Sequence, residues 1–169
     1  EKEKQFKLVN GNYKYVEVKE TIQERFCRIA NIYSEKEALS YRGKSMTYRS
    51  FYEKACSYAE KLIKCGVKKQ DIVAISAENT PETIISIWGI LLCGAVYLPI
   101  DESQPLDRTD YCINECRVQY VITNNGSMYK KNEKIKIIDK SIQETFSDFK
   151  LQEYSKSDNC YVIYTSGST

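Results

Sequence analysis

The sequence predicts an α/β fold built on a largely parallel sheet with flanking helices. Short β-branched runs recur at Asp71-Ile-Val-Ala-Ile-Ser76, Ala95-Val-Tyr-Leu-Pro-Ile100, Gln119-Tyr-Val-Ile-Thr123 and Lys134-Ile-Lys-Ile-Ile-Asp139. Helix-length segments lie between the first three of them, over 80–93 and 105–116. Connections of that length join parallel strands, whereas antiparallel neighbours need only a tight turn. A chain of 169 residues, 42% of them hydrophobic, suffices for one core or for part of a larger one.

Taken in order, residues 1–19 carry several charges and no sustained period, and they read as a linker or surface arm; residues 20–169 form the folded unit. Thr21-Ile-Gln-Glu24 is a capping box, with Ile22, Phe26, Ile29 and Tyr33 on the expected inner face of the helix it opens. Ala38–Tyr41 reads as a strand, Arg42-Gly43-Lys44-Ser45 as a hairpin turn, and Thr47 as the cap of a long amphipathic helix. That helix places Tyr48, Phe51, Tyr52, Ala55, Ala59, Leu62 and Ile63 inward and stops at Gly66. Thr80-Pro81-Glu82 gives the next helix a cap, a first-turn proline and an acid at its positive end. It is apolar nearly all round, which predicts cover on several sides, and Gly94 ends it. The helix after Pro105 sets Leu106, Thr109, Ile113 and Cys116 on one face. Residues 140–157 are polar and irregular, a surface crossing. Tyr161-Val-Ile-Tyr164 then reads as a buried strand.

Composition excludes several function classes. Twenty-five basic against 23 acidic side chains leave a net charge of +2, which points neither to nucleic acid nor to a membrane surface. The longest apolar run, Ile84 to Leu92, is too short to span a bilayer. No apolar signal region follows Glu1-Lys-Glu-Lys4, so the expected location is cytoplasmic. Histidine is absent, which removes Ser-His-Asp and Cys-His catalysis and any histidine-bearing zinc site. The seven cysteines, at 27, 56, 65, 93, 112, 116 and 160, form no Cys-x-x-Cys and are expected to be reduced and mostly buried. Cys112 and Cys116 share a helical face, but no second pair completes a metal site.

The chemistry is concentrated after the last strand. Thr165, Ser166, Ser168 and Thr169 offer four hydroxyls around Gly167, which tolerates backbone angles closed to other residues. Successive N–H groups in such a turn form a concavity for an anion, and the hydroxyls line it. The Walker pattern, with its Gly-Lys-Ser/Thr, is absent. Cys160-Tyr-Val-Ile-Tyr-Thr-Ser-Gly-Ser-Thr169 resembles the phosphate-loop signature of the adenylate-forming enzymes, specifically the adenylation domains of non-ribosomal peptide synthetases. Met46-Thr-Tyr-Arg-Ser-Phe51 resembles that family's first core motif, Leu-Thr-Tyr-x-Glu-Leu. Leu91-Leu-Cys-Gly-Ala-Val-Tyr-Leu-Pro-Ile-Asp101 resembles the second, Leu-Lys-Ala-Gly-x-Ala-Tyr-x-Pro-Ile-Asp. Leu92 and Cys93 depart from its lysine and alanine, and Glu102 and Gln104 stand where Pro and Tyr usually follow.

The resemblance implies the first part of the large N-terminal subdomain of such an enzyme. It implies an amino acid as substrate, ATP and Mg2+, a carrier domain bearing phosphopantetheine, and a condensation domain preceding residues 1–19. Thr165, Ser166, Gly167, Ser168 and Thr169 would hold the β- and γ-phosphates. In that family the loop continues with Gly-x-Pro-Lys-Gly, and the specificity pocket, the adenine, ribose and magnesium contacts and the catalytic lysine all lie past the position of Thr169. No catalytic residue or metal ligand is therefore named within the sequence, and these 169 residues alone are expected to be an inactive fragment. Two other readings stay open: a stand-alone acyl- or aryl-acid ligase of the same superfamily, and a non-catalytic nucleotide-binding or interaction module. A dinucleotide oxidoreductase is disfavoured, because no Gly-x-Gly-x-x-Gly follows a strand. Simpler readings account for the remaining motifs: Gly89-x4-Gly94 as helix packing and termination, Asp101 as a turn cap, Lys130-Lys131 as a solvated loop and Asn125-Gly-Ser127 as a turn.

Overall fold

Thr21 opens the first helix, α1 (Ile22–Ile32), through a reciprocal cap. The Glu24 N–H donates to Thr21 Oγ1 at 3.2 Å, and the Thr21 N–H donates to Glu24 Oε2 at 2.7 Å. The computed structural model describes residues 19–129, 134–142 and 149–164. The expectations for residues 1–18, Lys130-Lys131 and Thr165–Thr169 lie outside them. The inner face of α1 differs from the one the spacing predicts. Gln23, Phe26 and Ala30 are buried, while Ile22 and Tyr33 are exposed. Gln23 turns inward because its amide donates to the Leu91 carbonyl at 3.2 Å, a polar contact that apolar periodicity does not reveal. Phe26 stacks on Trp88 at 4.0 Å between ring centroids and meets Phe51 and Tyr52 edge-on.

The hairpin pairs β1 (Glu37–Tyr41) with β2 (Lys44–Thr47) through Arg42 and Gly43, with φ of 48° and 77°. Two successive positive φ values suit the twist of a two-residue hairpin. Thr47 then caps α2 (Tyr48–Lys64) by accepting from the Ser50 N–H at 3.3 Å. Phe51, Ala55, Ala59 and Leu62 are buried as the pattern requires, joined by Cys56, Ser57 and Tyr58; Ile63 is exposed. Gly66, at φ 99°, ends this helix.

β3 (Ile72–Ser76) leads through Thr80 and Pro81 into α3 (Pro81–Leu92), which is followed by β4 (Val96–Ile100). α4 (Leu106–Glu115), β5 (Tyr120–Ile122), a 3-10 turn (Gly126–Tyr129) and β6 (Lys136–Ile138) complete the order. The four strands β4-β3-β5-β6 form one sheet, parallel throughout, as predicted. Val73 and Ile75 face the core made by α1, α2 and α3, while Ala74 faces the smaller core under α4. On α4 the buried residues are Thr109, Cys112 and Ile113; Leu106, expected inward, is half-exposed. On α3 the cover is incomplete, since Ile84 is exposed and Ile87 and Trp88 are half-buried. All seven cysteines are free; Cys56, Cys93 and Cys112 are buried and the other four half-buried. Burial pushes the Cys56 and Cys93 thiols up to about 12.

Helices α2 and α3 touch at Gly89. A Cβ built there would stand 2.9 Å from Tyr58 Cδ1 and 3.0 Å from Tyr58 Cβ. Glycine at 89 is thus a packing requirement, as the simpler reading held. The Gly89→Ala variant should lose about 1–3 kcal/mol of stability by overpacking, read as a lower urea midpoint at unchanged slope.

The end of β6 is tied to α2 by Lys61, whose ammonium donates to the Asp139 carbonyl, to Asp139 Oδ1 and to the Ser141 carbonyl, each at 2.9 Å. Partial burial works against ionising Asp139, but hydrogen bonds from Ser141 and Lys61 outweigh it and hold the carboxyl at about 2. A depressed carboxyl stabilises the fold above its unfolded value near 3.8, and that contribution disappears as pH falls through about 2. With the side chain 62% exposed, solvent screening keeps the contribution below about 1 kcal/mol. Asp139→Asn should therefore flatten the stability profile between pH 4 and pH 2, measured by urea unfolding at stepped pH.

Candidate functional site

The segment before the hydroxyl-rich run lies against β4. The Tyr97 N–H donates to the Cys160 carbonyl at 3.1 Å, and the Val162 N–H donates to the Tyr97 carbonyl at 3.0 Å. These bonds set one parallel bridge, Tyr97 to Tyr161, and three residues further on Tyr164 lines a cleft together with Ile100, the end of β4. Val162 and Tyr164 pack on the core under α4. Tyr161 and Ile163 are 57% and 54% exposed. The expectation of a buried strand is corrected here. The segment is an edge bridge with one face covered, because α4 covers that face and no described helix covers the other. The Tyr161 ring meets only Tyr97 there among the described rings, at 5.8 Å. Tyr164 is fixed by its hydroxyl against Cys116 Sγ, 3.4 Å away, and by an edge contact with Tyr111. Thr165, Ser166, Gly167, Ser168 and Thr169 follow it directly in the chain but lie outside the described residues.

Polar side chains gather at the carboxyl ends of the strands. Asp101 accepts from the Ser103 N–H at 2.9 Å, from Ser103 Oγ at 2.6 Å and from Gln104 Nε2 at 3.2 Å. Those donors hold its carboxyl below the ordinary range, and the turn-cap reading of Asp101 stands. Glu102 accepts from Thr123 Oγ1 at 2.6 Å and from the Tyr129 hydroxyl at 3.3 Å, tying the loop after β4 to the exit of β5. Between Asp101, Gln104, Arg108, Thr109 and Tyr164 opens a cleft of about 160 Å³. A larger cleft of about 430 Å³, lined by Cys27, Tyr52 and Cys56, lies between α1 and α2. It touches no strand end, whereas parallel α/β sheets bind ligands at the carboxyl ends of their strands, so the smaller cleft is the better site.

Lys140 was not legible in the sequence, where it opens a stretch that reads as a surface crossing. Its side chain is 2% exposed. The ammonium donates to the Ser76 carbonyl at 2.8 Å, to Glu78 Oε2 at 3.1 Å and to Thr83 Oγ1 at 3.2 Å. All three protons of the ammonium are matched, which is what allows a lysine to be buried. The hint in the sequence is its position two residues after β6, where strand-end carbonyls converge. Among the described residues no three His, Cys, Asp or Glu side chains converge as a metal site, Cys112 and Cys116 included. No described helix is long and apolar enough to cross a membrane.

Residues 26–169 match the family model described as AMP-binding enzyme. Bacitracin synthase 1 of Bacillus licheniformis is 38% identical over 135 residues, 78% of this chain and 2% of its own length. Tyrocidine synthase 2 of Brevibacillus parabrevis is 31% identical over 172 residues, 99% of this chain and 5% of its own. The chain thus spans a small part of the relatives it matches. Among solved structures, the Klebsiella oxytoca NpsA N-terminal subdomain in complex with 3-hydroxybenzoyl-AMSN superposes with a TM-score of 0.81 at 22% identity, over 93% of this chain and 40% of that one. The non-ribosomal peptide synthetase FmoA3 in its AMPPNP-bound form gives a TM-score of 0.80 at 26% identity, over 97% of this chain and 18% of that one.

Lys140→Met should remove the ammonium from the buried Ser76 carbonyl, while the Thr83 hydroxyl keeps Thr80 Oγ1 at 3.2 Å, and cost about 1–3 kcal/mol. Urea unfolding measures the loss, and a stability equal to wild type would show that water replaces the ammonium.

Proposed function

The chain belongs to the AMP-binding enzyme family, and from that premise we propose that the protein containing it activates an amino acid with ATP for non-ribosomal peptide synthesis. A carboxylate oxygen of the amino acid forms a bond to the α-phosphorus, the bond to the β-phosphate oxygen breaks, and pyrophosphate leaves. The acyl group of the resulting aminoacyl adenylate then passes to the phosphopantetheine thiol of a carrier domain, releasing AMP. The observation that carries the reading is the edge segment Cys160–Tyr164, whose end stands beside the carboxyl-edge cleft immediately before the hydroxyl-rich run. In this reading Thr165, Ser166, Gly167, Ser168 and Thr169 hold the β- and γ-phosphates with hydroxyl and amide donors. Holding the leaving group in line and offsetting its charge is the contribution such a loop makes.

The carrier partner draws support from the fold match to an artificially fused adenylation–PCP di-domain of Klebsiella oxytoca. A condensation domain ahead of the adenylation unit is the arrangement the linker reading of residues 1–19 suggests. In this reading magnesium accompanies ATP, with protein ligands elsewhere in the protein. Seven free thiols favour a reducing, cytoplasmic setting. An aryl acid is the second candidate substrate, favoured by the match to NpsA, a protein seen with a hydroxybenzoyl ligand.

The full-length protein should catalyse exchange of pyrophosphate into ATP that depends on an added amino acid. A panel of amino acids and benzoic acids separates the two substrate classes. Replacing Thr165, Ser166 and Thr169 together by Ala should depress exchange by about tenfold or more, a loss of phosphate hydrogen bonds. Full exchange in the triple variant would place the phosphates elsewhere.

A further inference from the structure

Arg108 lines the carboxyl-edge cleft and has no hydrogen-bond or ionic partner for its guanidinium among the described residues. Neither the fold nor the helix accounts for it. The side chain is exposed, and it sits in the first turn of α4, where the helix dipole disfavours a cation. The other charged groups at this edge are already engaged. Asp101 is taken up by Ser103 and Gln104, Glu102 by Thr123 and Tyr129, and Lys140 by Ser76, Glu78 and Thr83. Tyr164 lines the same cleft, its ring and hydroxyl fixed against Tyr111 and Cys116. Packing thus fixes Tyr164 at the end of the edge segment, and the exposed Arg108 side chain lines the same cleft.

We propose that Arg108 is a phosphate-binding residue that meets the β- and γ-phosphates of ATP, and the departing pyrophosphate, from the α4 side of the cleft. This rests on the adenylation reading above. The need is electrostatic. Hydroxyls and amides are neutral, and a polyphosphate brought to this edge carries several negative charges that such donors do not cancel. Among the residues lining the cleft, Arg108 is the cation. Its planar fork of N–H donors suits two phosphate oxygens at once, which a lysine does not reproduce. The Asp101 carboxylate, which also lines the cleft, opposes an anion, but its charge is spread over three donors.

The test uses the full-length protein and two probes. In exchange assays, Arg108→Ala should raise KM for pyrophosphate and for ATP by about tenfold or more, the loss of a charge-assisted contact, with Arg108→Lys intermediate and Arg108→Glu worst. A non-hydrolysable acyl-adenylate mimic lacks the β- and γ-phosphates, so its Kd should be the same for wild type and Arg108→Ala. A merely structural role would weaken both probes together, and that result would overturn the inference, as would unchanged KM values in Arg108→Ala. Wild-type protein that shows no exchange with any acid would instead overturn the adenylation reading, and the inference with it.

Discussion

Strand β3 sets the terms for the rest of the molecule. Val73, Ala74 and Ile75 are 0% exposed, so no water reaches their backbone groups on either face. A buried, unpaired amide or carbonyl is costly, and each must therefore bond to a neighbouring strand. β4 and β5 flank β3 in parallel, and parallel neighbours require crossovers that lay helices over both faces. The two cores follow from alternation along that one strand. So does the location of the chemistry, since every strand of a parallel sheet ends on the same side.

That shared edge gathers four strand-end carbonyl rows, and the protein closes them with charge. Lys140 reaches from the end of β6 to the end of β3 and the start of α3, while Glu102 joins the loop after β4 to the exit of β5. Both are held by partners on elements far apart in sequence. They fasten loops that would otherwise be set only by their own turn chemistry, and the phosphate site proposed above needs that rigidity, because misplaced donors lose much of their value. Arg108 differs from them in having no partner to fasten among the described residues.

Most of the scaffold was legible because its signals are local. Caps at Thr21, Thr47 and Thr80, the Arg42-Gly43 turn and the stop at Gly66 involve neighbours within a few residues, and each is found where local pattern places it. The parallel sheet followed from run lengths alone. What escaped was set by contacts distant in sequence. Gln23 faces inward for the sake of the Leu91 carbonyl, and Lys140 for the ends of β3 and α3. Neither residue type carries a burial signal of its own. Tyr161 and Ile163 carry a strong one and are nevertheless exposed, because hydrophobicity reports a residue's preference and not whether a neighbour covers it. For the candidate site, the motif marked the hydroxyl run, while the carboxyl-edge cleft and its arginine needed the fold to bring α4 against the edge segment.

The exposed side of that edge segment bears on how the chain behaves at high concentration. The Cys160 carbonyl and the Val162 amide bond to Tyr97, so the amide and carbonyl of Tyr161 between them point away from β4. Between 161 and 164 there is no charge or proline to discourage another strand from adding there. Two apolar side chains and a row of backbone groups with no strand partner among the described residues make a template for intermolecular β-pairing. Self-association through this edge would be register-tolerant and would grow with protein concentration. A lysine placed at position 163 would act as a gatekeeper without touching either core, since Ile163 belongs to neither.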